Sequence, residues 1–115
     1  MKSAQAIARI CKVLGAEARV RIVQLLRDHA QCVGALAAGL EITQGAVSQH
    51  LRILRDAGLI TSEKRGYYVH YKINEKTFQQ WRGALDELLS LPASHSQGGK
   101  PCVRKKDVAV KSRTS

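Results

Sequence analysis

The sequence predicts a mainly α-helical domain with one small β-hairpin. Three observations predict it. Five stretches place apolar residues at helical spacing, one run alternates polar and apolar residues beside a glycine-containing turn, and 115 residues is about one domain's length. A chain this short buries only about two-thirds of the surface its unfolded form exposes, so a second copy packed against it would enlarge its core.

The first helix is expected over Ala6–Leu14, with Ile7, Ile10, Cys11 and Leu14 at i, i+3, i+4 and i+7, and Gly15 interrupting it. A second runs from about Glu17 to Asp28, with Val20, Val23 and Leu26 on one face beside Ile22 and Leu25, and Glu17 at the positive end of its dipole. Cys32–Ala38 reads as a short third helix stopped by Gly39. Thr43 is a good N-cap for a fourth, Gln44–Ala57, which Gly58 ends. Two helices joined by so short a turn form a helix-turn-helix pattern. Leu59–Glu63 and Tyr67–Ile73 then flank the basic turn Lys64-Arg65-Gly66 as a hairpin, with Tyr67, Val69, Tyr71 and Ile73 expected in the core. A last helix, about Glu75 to Leu91, sets Phe78, Trp81, Leu85, Leu88 and Leu89 on one side, with Pro92 after it. The order of helices followed by a basic hairpin and a closing helix is a winged helix-turn-helix. It divides the chain into a DNA-binding and dimerisation domain over 1–93 and a flexible basic tail over 94–115.

Lys and Arg number 19 against 9 acidic residues, a net charge of +10, which points to a polyanionic partner. From Ser94 onward there are six basic residues and one acidic, +5, leaving +5 for Met1–Ala93. Half of the excess charge therefore lies outside the folded face. No apolar run approaches the roughly 18 residues of a membrane span, and Met1-Lys2-Ser3-Ala4-Gln5 does not open a signal peptide, so a cytoplasmic protein without a membrane partner is expected. Phosphate-binding glycine loops, the H-E-x-x-H metal motif and the serine nucleophile elbow are all missing from the sequence, which argues against an enzyme.

On the fourth helix Val47, Leu51 and Leu54 form the inward stripe, leaving Gln44, Gly45, Ser48, Gln49 and Arg52 facing outward near its N-terminal end. A recognition helix inserts that end into the major groove, where Gln reads adenine, Ser reads several bases and Arg grips guanine or phosphate. Gly45 costs the helix about 1 kcal/mol relative to Ala, which suits close approach to DNA. Lys64 and Arg65 are wing contacts to phosphate or the minor groove, or an ordinary solvated hairpin tip. The outer helices carry more apolar surface than one small domain covers, and a two-fold dimer would present two recognition helices to a palindromic double-stranded operator.

Leu14–Arg19, Gln31–Leu36, Thr43–Leu59 with its Thr-Gln-x-Ala-Val-Ser-Gln-His-Leu run, and Lys64–Tyr71 together resemble the ArsR/SmtB family of repressors. The resemblance covers roughly Ile7 to Leu91. It implies a homodimer that binds an operator and leaves it when an inducer binds, often a metal or metalloid ion. It also implies that His50 lies near the DNA backbone, although a histidine beside Leu51 can equally hydrogen-bond within the fold. Cys32 matches the cysteine that opens the family's thiolate site, but Gly34 and Ala35 replace the second thiolate and the acidic residue after it. The family's other zinc site is lost, since Asn74, Glu75 and Glu87 stand where its ligands would be. Cys11, Cys32 and Cys102 could together hold a soft ion such as As(III), Cd(II) or Zn(II). Cys11 is equally a buried structural cysteine, and His29 and His95 are conceivable extra ligands. Thiol oxidation, or no small-ligand response, are the alternatives, and a protein-interaction module is the rival function. Ala16-Glu17 replaces the family's Asp-Pro helix start, and Glu41 stands where Gly is common in the turn.

Overall fold

A computed structural model describes residues 2–93. Helices α1 (Ala4–Leu14) and α2 (Glu17–Asp28) lead into a two-residue strand β1 (Gln31–Cys32). The helix-turn-helix pair follows, α3 (Val33–Leu40) and α4 (Gln44–Asp56), then the hairpin β2 (Ile60–Arg65) and β3 (Tyr68–Ile73), and finally α5 (Glu75–Leu89). The expected winged helix-turn-helix is present, and its wing is a three-stranded antiparallel sheet in the order β1-β3-β2.

Local chemistry sets most boundaries. The Ser3 hydroxyl accepts from the Ala6 N–H at 3.1 Å, so α1 starts two residues before the expected Ala6. Thr43 caps α4 in the same way, accepting from the Ala46 N–H at 3.1 Å. Ala16 at the head of α2 makes no such bond, as the loss of the family's acidic cap implies. Gly39 does not stop α3. It lies inside the helix where α3 leans on α2, and a Cβ there would meet Leu25 Cδ1 at 3.3 Å. The helix ends instead at Glu41, whose φ of 60° puts a non-glycine residue in the left-handed region.

The hairpin turn is shorter than expected. Arg65 pairs with Tyr68, so the two loop residues are Gly66 and Tyr67, and Lys64 and Arg65 belong to β2. Gly66 has φ 64° while Tyr67 does not turn positive, the pattern of a type II′ turn.

One core joins α2, α3, α4 and the base of the wing: Ile22, Leu36, Val47, Leu54, Leu59 and Ile60 are at most 1% exposed. A smaller cluster of Ile7, Ile10 and Ala84 joins α1 to α5, with Leu14 and Trp81 packed against both. Val13, not Cys11, completes the buried stripe of α1, and Cys11 is exposed rather than structural core.

Candidate nucleic-acid interface

The α4 helix is anchored on one side and open on the other. Val47, Leu51 and Leu54 seal its inner face, and Gln44, Gly45, Ser48, Gln49 and Arg52 are all exposed. Between this face and the wing lies an open cleft of about 390 Å³ lined by Gly45, Ser48, Gln49, Arg52, Arg55 and Tyr71. Arg55 was not among the residues singled out by sequence. Its position three after Arg52 and seven after Ser48 is the signal that places it on this face. Gly45 is not required by packing within the fold, since the nearest atom a Cβ would meet is Thr43 Oγ1 at 4.0 Å.

The wing sorts its two basic residues onto different faces. Directly opposed residues of an antiparallel ladder project to the same side. Lys64 pairs with Val69 and Ser62 with Tyr71, so Lys64 shares the side of Tyr71, which lines the cleft beside α4. Arg65 pairs with Tyr68 on the opposite side, where Glu63 lies 3.6 Å from both Arg65 and Lys72. These exposed pairs add little stability, but they give Arg65 an acidic neighbour that Lys64 lacks. Tyr67 is 99% exposed at the hairpin tip and Val69 is 40% exposed, correcting their assignment to the core. Only Tyr71 and Ile73 of that alternating set pack against it. The pattern misleads because Tyr67 belongs to the turn and Val69, paired with Lys64, lies one pair from the hairpin tip and outside the core.

His50 is half-buried, and its Nδ1 lies 3.2 Å from the Arg19 guanidinium. The hydrogen bond within the fold, one of its two readings, is present, through Nδ1 alone.

The thiols are less gathered. Cys32 is half-buried at the head of α3, and Cys11 is exposed on α1; Cys102 and His95 lie outside the described residues. Cys32 opposes His70 across the sheet, and His70 opposes Glu63, so the three share one face. His70 Nδ1 is buried there without a hydrogen-bond partner. Among the described residues, no group of three or more His, Cys, Asp or Glu side chains is arranged to hold a metal ion. Asn74 has a structural task instead of a ligand's: its Nδ2 donates to the Gly58 carbonyl at 3.1 Å, tying the start of α5 to the end of α4. His29 is exposed at the C-terminus of α2.

Residues 16–62 match the profile of the bacterial regulatory proteins of the arsR family. A mycobacterial relative extends the match well beyond that segment: the HTH-type transcriptional regulator CmtR of Mycobacterium bovis is 34% identical over 98 residues, covering 85% of this chain and 80% of CmtR. The chain belongs to the ArsR family. The HTH-type transcriptional repressor SmtB of Mycobacterium tuberculosis is 40% identical over 68 residues, 59% of this chain, and that segment spans only half (50%) of SmtB. A solved structure described as "Possible transcriptional regulator for arsenical resistance" superposes with a TM-score of 0.64 at 37% identity, over 69% of this chain and 82% of that one. These ArsR-family relatives are named as regulators of transcription, not as enzymes. Their winged helix is the fold found here.

Proposed function

We propose that this ArsR-family chain is a homodimeric transcriptional repressor that binds a palindromic double-stranded DNA operator through α4 and the wing. The observation that carries this reading is the α4 face: polar and cationic residues stand exposed at the N-terminal end of a helix whose other side is sealed in the core. Gln44, Ser48 and Gln49 read base edges, and Arg52 grips guanine or phosphate. Gly45 lets the helix backbone approach the groove. Lys64 contacts phosphate from the wing, assisted by Arg55 and, with its Glu63 neighbour, less strongly by Arg65. Repression is supported by the names of the relatives.

A second copy covers the apolar surface of α1 and α5. Leu88 is 49% exposed and Leu89 77%, and an open groove of about 330 Å³ runs between Leu14, Val20, Phe78, Trp81 and Leu85. Two-fold pairing then sets the recognition helices about one turn of DNA apart. Among the described residues no helix is long and apolar enough to cross a membrane, in keeping with a cytoplasmic regulator.

The inducer is a soft metal or metalloid ion, As(III), Cd(II) or Zn(II), taken by thiolates that include Cys32. The described residues of one chain do not form a complete site, so Cys32 draws its remaining ligands from Cys11 of a second copy or from Cys102. Ion and DNA must weaken each other's binding by the same factor.

A gel shift with the chain's own upstream sequence tests the DNA reading: binding should exceed that to random duplex and fall steeply with salt. Equal affinity for both duplexes overturns it. Titrating the reduced, DNA-bound protein with each ion and with peroxide tests the inducer. Release that survives all three single Cys→Ser changes removes the thiolate reading, and release by peroxide alone replaces the ion with thiol oxidation.

A further inference from the structure

Arg19 joins three helices through one side chain. Its Nε donates to the Val13 carbonyl and its Nη2 to the Lys12 carbonyl at 3.4 Å, both in the last turn of α1. From the first turn of α2 its Nη1 reaches Nδ1 of His50 on α4 at 3.2 Å. The helices α1 and α4 each lean on α2 and pack little against one another. The guanidinium is therefore the direct polar link between the end of α1 and the middle of the recognition helix.

Chemistry fixes the state of this link. A guanidinium offers only donors and stays charged, so Nδ1 of His50 must accept with its lone pair. The imidazole is then neutral, with its proton on Nε2. A histidinium would set an N–H against an N–H and a positive charge against a positive charge. The planar fork also reaches two carbonyls and one ring nitrogen together, which a lysine ammonium on its flexible stem is poorly shaped to do.

We infer that Arg19 and His50 form a clasp that sets the angle of the recognition helix against α1, making Arg19 a positioning residue for DNA binding that itself touches no DNA. The inference rests on the DNA-binding reading above. It deepens that reading because α1 is one of the helices assigned there to the dimer. In a two-fold dimer a small error in the angle between α1 and α4 is expressed twice, as a mismatch between two recognition helices and two half-sites. The clasp therefore governs specific, two-site binding more than general attraction to DNA.

The test uses the full chain and two labelled duplexes, one enriched by the wild-type protein from a random pool and one of random sequence. Arg19→Ala should weaken binding to the enriched duplex about tenfold and to the random duplex less than about twofold, roughly one good hydrogen bond's worth. His50→Ala should match it, and the double variant should be no weaker than either single change, as expected for coupled partners. His50→Asn keeps an acceptor near the Nδ1 position and should retain most of the binding, whereas His50→Gln moves the acceptor outward and should not. Additive losses, or rescue by Gln rather than Asn, overturn the clasp. So does an Arg19→Ala loss equal on both duplexes with a salt slope lowered by about 0.9, which marks a direct phosphate contact. Long-range ¹⁵N–¹H correlation of the wild-type His50 ring at neutral pH needs no variant to fold. It should report Nε2–H, and an Nδ1–H or doubly protonated ring overturns the proposal. A wild-type protein that enriches no duplex at all would instead defeat the DNA-binding reading, with the clasp still judged by the ring's tautomer.

Discussion

The helices α4 and α5 are similar in length and amphipathic character, yet one is complete within the chain and the other is not. On α4, Val47, Leu51 and Leu54 are all at most 2% exposed, whereas the only fully buried residue of α5 is Ala84, and Leu89 is 77% exposed. The difference separates two uses of an apolar stripe. One fixes a helix so that its opposite face can be presented, and the other leaves most of its apolar side chains partly or fully open in the single chain, the surface on which the proposed pairing rests.

The largest expected effect breaks the complete side of this comparison. Leu54→Ala opens a cavity between α2, α4 and the wing and should cost about 2–5 kcal/mol, a large share of a small domain's stability. Chemical denaturation should show the transition midpoint falling steeply. A loss below about 1 kcal/mol would mean that α4 is less tightly held than its burial indicates.

Changing the incomplete side should do the opposite. Replacing both Leu88 and Leu89 with Ser removes little from the core of one chain, so the low-concentration unfolding transition should move by less than about 1 kcal/mol. Sedimentation, however, should change from the mass of two chains to the mass of one, with specific DNA binding lost alongside. A dimer that persists in this variant would place the pairing surface elsewhere.

The turn between α3 and α4 carries a smaller, stabilising prediction. Glu41 adopts φ 60°, costly for a residue with a side chain, and the Ile42 N–H returns to the Ala37 carbonyl at 3.2 Å to close the helix end. Glu41→Gly should raise stability by about 0.5–1 kcal/mol, the relief of left-handed strain exceeding the extra freedom of glycine in the unfolded chain. Thermal melting would read it as a higher midpoint, and a lower one would contradict the strain.

Much of this was legible in the residues because the signals were local. Thr43 and Gly58 bracket α4, and the run from Tyr67 to Ile73 alternates cleanly enough to reveal a strand beside a tight turn. The missed features depend on contacts distant in sequence or on the bounds of a turn. Strand β1 is two residues long and exists only because β3 runs beside it. The bond from Arg19 to His50 spans 31 positions, and nothing local to either residue announces it. Helical spacing alone allows either Cys11 or Val13 to complete the α1 stripe, and only the packing of the end of α1 on the main core, which includes Ile22, Val23 and Leu26 of α2, selects Val13. Tyr67 was assigned to the core because it was read as the first residue of the strand, whereas it lies in the turn; the alternation itself is in phase, since Tyr71 and Ile73 pack on the core. Arg55 was within reach of the same helical arithmetic that found Arg52.

Gly45 offers the finest test, because there stability and binding should move in opposite directions. A methyl group at this position has open space, with Thr43 Oγ1 at 4.0 Å as its nearest neighbour, so Gly45→Ala should stabilise α4 by about 0.5 kcal/mol. If the glycine serves only the fold, DNA affinity should stay level or rise slightly with the firmer helix. If the backbone of the first turn of α4 lies against the DNA, the same methyl group meets a base edge or sugar, and specific affinity should fall severalfold while the melting midpoint rises. Measuring both quantities on one variant separates the two accounts. A rise in stability with unchanged affinity would move the DNA contact away from Gly45 and toward Ser48, Gln49 and Arg52, one turn further along the helix.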